Sequence, residues 1–193
     1  MAPLLKPEDC CILFIDPTRH NAERADQADG DQDALISRHA LIQQAARVLD
    51  VPKFFAIQGD EVDEREWIAQ PCDGAKPRVY PVSTAASMWS GSGLGAALAE
   101  EGKACLLLCG FWLERSVTFA ALNALADGFD VFVLMDACPS CDRHAKCPAI
   151  DRLLQAGVVP LTTTQMVSEW AEGASDEARR AALRNLLAST GEQ

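Results

Sequence analysis

The sequence predicts an α/β protein in three layers, with a parallel β-sheet between two layers of helices. Apolar runs of strand length alternate with segments of helical spacing along the 193 residues, and this alternation is typical of βαβ units. The first run, at 10–16, is apolar up to its final residue, which is the pattern of a strand buried on both faces. The segment 33–49 has apolar residues three and four positions apart, which predicts an amphipathic helix.

Each further element follows from a local pattern. Apolar runs predict six strands, at 10–16, 53–57, 78–82, 103–109, 129–135 and 158–161. Helical spacing predicts helices at 33–49, 114–126, 148–156 and 162–171 and from 175 onward. A short helix is also expected between the Ser/Gly-rich turn at 87–95 and Glu101. Thr162 and Gln165 are predicted to form a capping box at the start of the helix 162–171. The polar segment 16–33 is interpreted as a surface loop. We interpret 1–193 as a single domain, with a core at about 6–172 and a C-terminal helix at about 175–189.

Composition excludes several classes of function. The formal net charge of −11 and the pI near 4.6 argue against a nucleic-acid partner, because phosphate binding requires Lys and Arg. The longest apolar run, 104–113, is about half of what spans a bilayer, so no membrane partner is expected. The N-terminus lacks the apolar core of a signal peptide, and we therefore expect a cytoplasmic protein.

Polar residues at the carboxyl ends of the strands predict a pocket for a small molecule, because ligands of open α/β sheets bind there. Asp16 ends the first strand and Gln58 follows the second. Ser83 follows the third strand, and Ser116 opens a helix after the tight turn at Gly110. Trp89 and Trp112 are interpreted either as apolar walls of this pocket or as core residues.

Seven of the eight cysteines fall into two groups. Those in apolar strand runs are expected to be buried thiols; they are Cys10, Cys11, Cys105 and Cys109. The loop at 138–147 has the spacing C-x2-C-x2-H-x2-C, which leaves zinc, a disulfide or free thiols open for Cys138, Cys141 and Cys147. Spacing this tight leaves little chain for a metal cage, so free thiols are the favoured interpretation and we expect no metal.

Four segments in order resemble the isochorismatase-like cysteine hydrolase superfamily, over about 6–170. They read CCILFIDPTRH, SMWSGSGL, CGFWLERSVTFAALNALADGFDVFVLMDAC and AIDRLLQAGVVPLTTTQMVSEW. The resemblance implies a sheet in the order 3-2-1-4-5-6, a homo-oligomer, and hydrolysis of small amides, ureides or vinyl ethers without a cofactor. The metal-dependent amidases of this superfamily carry His after the second strand, and the segment 54–67 has none.

The resemblance also assigns roles at the pocket. It implies that Asp16 is the general base, and it places the usual Lys on Ser83, or on Val82 if the alignment slips by one residue. The usual nucleophilic Cys falls on Ser116. The backbone N–H groups of Leu113 and Ser116 are implied as the oxyanion hole, beside a non-prolyl cis peptide bond.

Two of these three catalytic side chains are therefore replaced. A hydroxyl titrates about five or more units above a thiol, and a helix N-terminus contributes only about 0.3–1 kcal/mol toward ionising it, so a base must remove the proton of Ser116 during attack. Arg115 and His20 are considered as sources of the missing positive charge, although a solvated surface position is the favoured interpretation of each. Two functions stay open: a hydrolase with an altered site, or a catalytically silent relative that binds a small molecule or serves as an assembly or regulatory subunit.

Overall fold

The computed structural model describes residues 4–29, 31–59, 66–69 and 77–189. Within these residues, six parallel strands form one sheet in the order β3-β2-β1-β4-β5-β6, as predicted. The strands are β1 (Cys10–Ile15), β2 (Lys53–Gln58), β3 (Arg78–Val82), β4 (Cys105–Gly110), β5 (Asp130–Leu134) and β6 (Val159–Leu161).

The described residues also form eight α-helices, none of them long and apolar enough to cross a membrane. They are α1 (Arg19–Asp29), α2 (Gln32–Val48), α3 (Met88–Gly91), α4 (Leu94–Glu100), α5 (Thr118–Ala126), α6 (Arg143–Ala156), α7 (Thr163–Gly173) and α8 (Glu177–Ser189). The capping box predicted for α7 is confirmed: the side chain of Thr162 accepts from the N–H of Gln165, and the Gln165 side chain accepts from the N–H of Thr162.

The core lies on both faces of the two central strands. All six residues of β1 are buried, and five of the six in β4 are buried. Because neighbouring parallel strands cover β1 on both sides and helices cover its faces, a continuous apolar run is the sequence that this position requires. The strand cysteines are confirmed as free thiols, with Cys10, Cys11 and Cys109 buried and Cys105 half-buried.

Helix α1 overturns the prediction of a loop at 16–33. Its sequence is polar, but Ala22 and Ala25 form a small apolar face that is buried against Leu35, Phe111 and Trp112. Two alanines give too weak an apolar pattern to indicate a helix by periodicity, so tertiary packing selects the conformation here.

Helix α6 begins at Arg143, five residues before the predicted start at Pro148. The side chain of Asp142 accepts from the N–H of His144 and so caps the helix. Pro148 therefore lies inside α6 rather than at its first turn. The predicted helix at 148–156 is therefore confirmed but begins earlier, because Asp142 caps it.

The turn after β4 is built on Gly110. Its φ is +119°, and a Cβ atom at this position would lie 2.0 Å from the carbonyl oxygen of Ile15. Only glycine fits such a close approach between two backbones. The next peptide bond, between Phe111 and Trp112, is cis, as the resemblance implied. A π-helical turn at Leu113–Val117 then leads into α5.

Candidate functional site

Asp16 stands directly after β1, with its carboxylate held by two donors. The N–H of Gln58 donates to Oδ1 at 3.2 Å, and Nδ2 of Asn21 donates to Oδ2 at 2.7 Å. The backbone of Asp16 has a φ of +48°, in the left-handed region that few residues other than glycine adopt. Its N–H donates to the carbonyl oxygen of Ala56 at 2.7 Å, which fixes the residue against β2.

Burial sets the electrostatics of Asp16. Loss of solvent raises the pKa of its carboxyl group above the usual 3.8, and the hydrogen bonds from Gln58 and Asn21 and the nearby charge of His20 partly oppose this rise. Desolvation disfavours the charged form, while donors and a neighbouring cation favour it. The result is a carboxylate that is a stronger base than an exposed aspartate.

Ser116 lies in the π-helical turn before α5 and is half-buried. Its hydroxyl makes no hydrogen bond to any residue that the structure describes. The carbonyl oxygen of Trp112 accepts from the N–H groups of Arg115 and Val117, each at 3.1 Å. The bond from Val117 spans five residues, as in a π-helix.

The structure brings three of the predicted site residues together. A small pocket, with a cavity volume of about 10 Å³, is lined by Asp16, Gln58 and Ser116. Its remaining described walls come from β1, β2, β3 and the segment that leads to α3: Ile15, Ala56, Val82, Thr84, Ala85 and Met88. None of these described lining residues carries a positive charge.

Val82, and not Ser83, belongs to the described wall of the pocket. Val82 lines the pocket, whereas Ser83 is exposed and its hydroxyl lies 3.0 Å from that of Ser87. Side chains of a strand alternate between its faces, so one residue of register decides which of the two faces the pocket. The side chain of Ser83 thus lies outside the described pocket wall, while the alignment of the superfamily's Lys with Ser83 or Val82 stays a prediction.

Arg115 and His20, the two residues considered as sources of positive charge, act on different groups. Arg115 is exposed and lies close enough to Cys141 to oppose the rise in that thiol's pKa. His20 is also exposed, but its charge acts on Asp16. His20 is therefore the positive group that the described residues bring near the carboxylate.

The N–H of Leu113 is not free to stabilise an oxyanion. It donates to the carbonyl oxygen of Pro139 at 3.0 Å, which contradicts the role that the resemblance implied. The N–H of Trp112, one residue earlier, makes no hydrogen bond to any described residue. A backbone donor beside this turn is therefore still available, at a different position.

Trp89 and Trp112 are core residues and lie outside the described pocket wall. The indole N–H of Trp89 donates to Asp127 at 2.6 Å, and its ring meets Phe129 edge-on. Trp112 packs edge-on against Phe111, with the guanidinium of Arg24 over its face. Of the two interpretations left open by the sequence, core packing is the one that the structure supports.

The cysteine loop does not converge on one point. The thiol of Cys138 is buried and donates to the carbonyl oxygen of Leu108, that of Cys141 donates to Glu114, and Cys147 is exposed. All three are free, and no three potential ligands in the described ranges come together in a way that could hold a metal ion. Residues 60–65 of the segment 54–67 lie outside the described residues, so the interpretation of that segment remains a prediction.

Sequence reasoning missed two residues that shape the site. Asn21 belongs to the helix that was taken for a loop, so nothing in the sequence indicated its contact with Asp16. Glu114 precedes Ser116 by two residues and accepts hydrogen bonds from Ser140 and Cys141. A carboxylate in the first turn of a predicted helix was a signal for Glu114, but it suggested only a favourable helix terminus.

Comparison with known proteins identifies related chains. The probable hydrolase YcaC of Escherichia coli (strain K12) is 38% identical over 74 residues, which is 38% of this chain and 36% of that protein. The match thus spans about a third of the curated relative's length. YcaC from Pseudomonas aeruginosa, solved with hexane-2,5-diol and covalent acrylamide, has a TM-score of 0.73 at 20% identity, covering 99% of this chain and 98% of that one.

Two further solved structures have the same fold. The Escherichia coli YcaC gene product, described as an octameric hydrolase of unknown specificity, has a TM-score of 0.71 at 22% identity, with 99% and 98% of the chains covered. The MAR1 ribonuclease from Caenorhabditis elegans has a TM-score of 0.76 at 17% identity, with 97% and 93% covered. The family model described as Isochorismatase domain matches residues 10–165, which is more than half of this chain. The chain therefore belongs to the isochorismatase family.

Proposed function

We propose that this protein hydrolyses the C–N bond of a small neutral amide or ureide by adding water directly, with Asp16 as the proton-transfer group. The observation that carries this proposal is the shared pocket of Asp16 and Ser116, in which a half-buried carboxylate lies beside a hydroxyl that no described residue hydrogen-bonds. Membership in a hydrolase family supports the reaction class.

In this reaction, the Asp16 carboxylate takes a proton from water while the water oxygen attacks the carbonyl carbon. The C=O electron pair moves to oxygen and forms a tetrahedral intermediate. The pair then returns, the C–N bond breaks, and Asp16 gives its proton to the leaving nitrogen. Because burial raises the pKa of Asp16, the carboxylate is a better base than an exposed one, as general acid–base catalysis requires near neutral pH.

Ser116 acts in this scheme as a hydrogen-bond donor and not as a nucleophile. The described walls of the pocket hold no cation that would stabilise an alkoxide. An unpaired hydroxyl, by contrast, is free to donate to the oxygen that becomes negative in the intermediate. One such donor typically contributes about 3 kcal/mol to the transition state.

The substrate class follows from the charge of the pocket lining. The described lining residues include no positive side chain that would pair with an anionic substrate. The Pseudomonas aeruginosa relative was solved with covalent acrylamide, which is itself a small neutral amide. A neutral amide or ureide is therefore the substrate that we propose.

A second candidate is a silent relative that binds the same kind of molecule without turnover. Two observations favour it: no described lining residue of the pocket carries a positive charge, and the N–H of Leu113 is already bound to Pro139. A protein of this kind would serve as a binding, assembly or regulatory subunit.

We further propose that the chain forms a homo-oligomer. The Escherichia coli relative is described as an octamer, and Phe119, Leu154 and Val159 are each at least 40% exposed on this chain. Light scattering coupled to size-exclusion chromatography tests this directly, and a monomeric mass at micromolar concentration would contradict it.

The reaction is tested on a panel of acetamide, acrylamide, urea and methylurea, with ethyl vinyl ether as the third substrate class. Asp16→Asn is expected to lower kcat/KM at least about 100-fold, and Ser116→Ala about 10- to 100-fold. Two exposed residues outside the pocket provide matched controls, Asp130→Asn and Ser90→Ala. Hydrolysis that survives Asp16→Asn would refute the proposal, and saturable binding by calorimetry with no turnover would establish the silent protein instead.

A further inference from the structure

Asn21 is a buried polar residue whose side chain is directed at Asp16. It is only 6% exposed, and it lies in the first turn of α1. Its own N–H donates to the hydroxyl of Thr18 at 3.3 Å, the bond by which a capping residue begins a helix. The start of α1 thus fixes Asn21 beside the end of β1.

One amide nitrogen serves both the backbone and the side chain of Asp16. Nδ2 of Asn21 donates to Oδ2 of Asp16 at 2.7 Å and to its carbonyl oxygen at 3.1 Å. The same carbonyl oxygen accepts from the N–H of Thr18 at 2.7 Å. These bonds hold Asp16 in its left-handed conformation, with a φ of +48°.

We propose that Asn21 is a positioning residue, which orients the Asp16 carboxylate toward the pocket and toward the side of Ser116. The proposal rests on the hydrolysis proposed above. The N–H of Gln58 holds Oδ1 and Asn21 holds Oδ2, so neither oxygen can rotate away without breaking a bond. Preorganisation of this kind is what a catalytic base requires, because small displacements of a reacting group cost large factors in rate.

The charge of the carboxylate makes the role measurable. Burial raises the pKa of Asp16, while the donors Gln58 and Asn21 and the charge of His20 lower it. Removal of the Asn21 amide leaves Asp16 buried and takes away one of the interactions that lower its pKa. The pKa of Asp16 must then rise further, and the carboxylate form, which the reaction needs, must appear only at higher pH.

The test uses Asn21→Leu, which keeps the approximate shape of the side chain and removes both of its hydrogen bonds to Asp16. Asn21→Ser is a milder second variant that keeps a polar group, and it serves if the leucine variant fails to fold. Asn123→Leu is the matched control, because Nδ2 of Asn123 also donates to a carbonyl oxygen, that of Phe119 at 2.7 Å, on helix α5. Carboxyl NMR of protein labelled with ¹³Cγ-aspartate gives the titration of Asp16 without any substrate. The Asp16 resonance is assigned by its loss in Asp16→Asn.

We expect the midpoint of Asp16 to move to higher pH in both Asn21 variants and to stay unchanged in Asn123→Leu. We also expect kcat to fall about tenfold with KM unchanged, and the rising limb of the pH–rate profile to move with the NMR midpoint. An unchanged midpoint in the Asn21 variants would overturn the positioning role, even if Asp16→Asn abolishes hydrolysis. If Asp16→Asn remains active, the proposed function fails, while the titration still decides whether Asn21 controls this carboxylate.

Discussion

The N–H of Leu113 donates to the carbonyl oxygen of Pro139 at 3.0 Å, and this bond ties the turn that carries Ser116 to the loop after β5. Glu114 adds a second attachment between the same two segments. Its Oε2 accepts from the hydroxyl of Ser140 at 2.8 Å, and its Oε1 accepts from the N–H and the thiol of Cys141. The position of Ser116 therefore depends on a loop that lies about 25 residues away in sequence.

The first prediction concerns the thiol of Cys141. Burial raises its pKa, and the hydrogen bond to Glu114 and the negative charge of that residue raise it further. Glu114→Gln removes the charge, so the thiolate fraction near neutral pH must grow. We expect alkylation of Cys141 by iodoacetamide to become several-fold faster, as followed by peptide mass spectrometry. The exposed Cys147 is the internal reference, and an unchanged ratio of the two rates would contradict the prediction.

The second prediction tests whether a cation at position 82 or at position 83 acts on the residue at position 116. In a Ser116→Cys background, Val82→Lys places an ammonium group in the pocket wall, whereas Ser83→Lys places it outside. A nearby cation lowers the pKa of a thiol. We expect Val82→Lys to accelerate alkylation of the introduced thiol about tenfold, and Ser83→Lys to have little effect. Circular dichroism confirms that each double variant is folded. Equal alkylation rates in the two would contradict the placement of residue 82 in the pocket wall and residue 83 outside it.

The third prediction tests the turn that precedes the site. Gly110→Ala would place a Cβ atom 2.0 Å from the carbonyl oxygen of Ile15, in addition to a φ of +119°. We expect a loss of more than about 3 kcal/mol in the free energy of unfolding. Gly128→Ala is the matched control, since its φ is +90° but no atom lies within 4 Å of the added Cβ. The control should lose only about 1 kcal/mol, and similar losses in urea denaturation of both variants would refute the steric explanation.

The fourth prediction concerns acid stability. Burial lowers the pKa of His39 from 6.5 to about 4, although its Nε2 contacts the carbonyl oxygen of Ala137 at 3.1 Å. Between these two values the unfolded chain binds a proton that the folded chain does not, so stability falls as the pH drops from 6.5 to 4. The loss attributable to this residue is about 3 kcal/mol.

His39→Gln removes this titration and should flatten the dependence of unfolding free energy on pH in that window. His144→Gln is the control, because His144 is exposed on α6. Urea denaturation at pH 7, 5.5 and 4.5 makes the comparison. If the wild-type chain and His39→Gln lose stability in parallel on acidification, His39 is not the group responsible.

Much of the fold could be predicted because local patterns and packing agree in it. Continuous apolar runs marked the central strands, and Thr162 with Gln165 marked a helix start that the structure confirms. Helix α1 could not be predicted, since its apolar face consists of Ala22 and Ala25, which pack only once Phe111 and Trp112 are in place. Its polar composition was typical of a loop.

Some features of the candidate site could likewise be predicted from the sequence, and others required the structure. Asp16, Gln58 and Ser116 could be named from the sequence because parallel strands bring their carboxyl ends to one edge of the sheet, and the three do line one pocket. Choosing Val82 over Ser83 required the register of β3, which sequence leaves uncertain by one residue. The engagement of Leu113 with Pro139 required a contact between distant segments.

Residue identity and local periodicity were enough to predict the class of the fold and the strand ends that carry the candidate site. Only the tertiary structure decided which side chains face the pocket, which backbone donors are already bound, and that Asn21 holds Asp16. Those properties depend on which groups are buried and on which hydrogen bonds they form. Both are fixed only when segments far apart in the chain pack together.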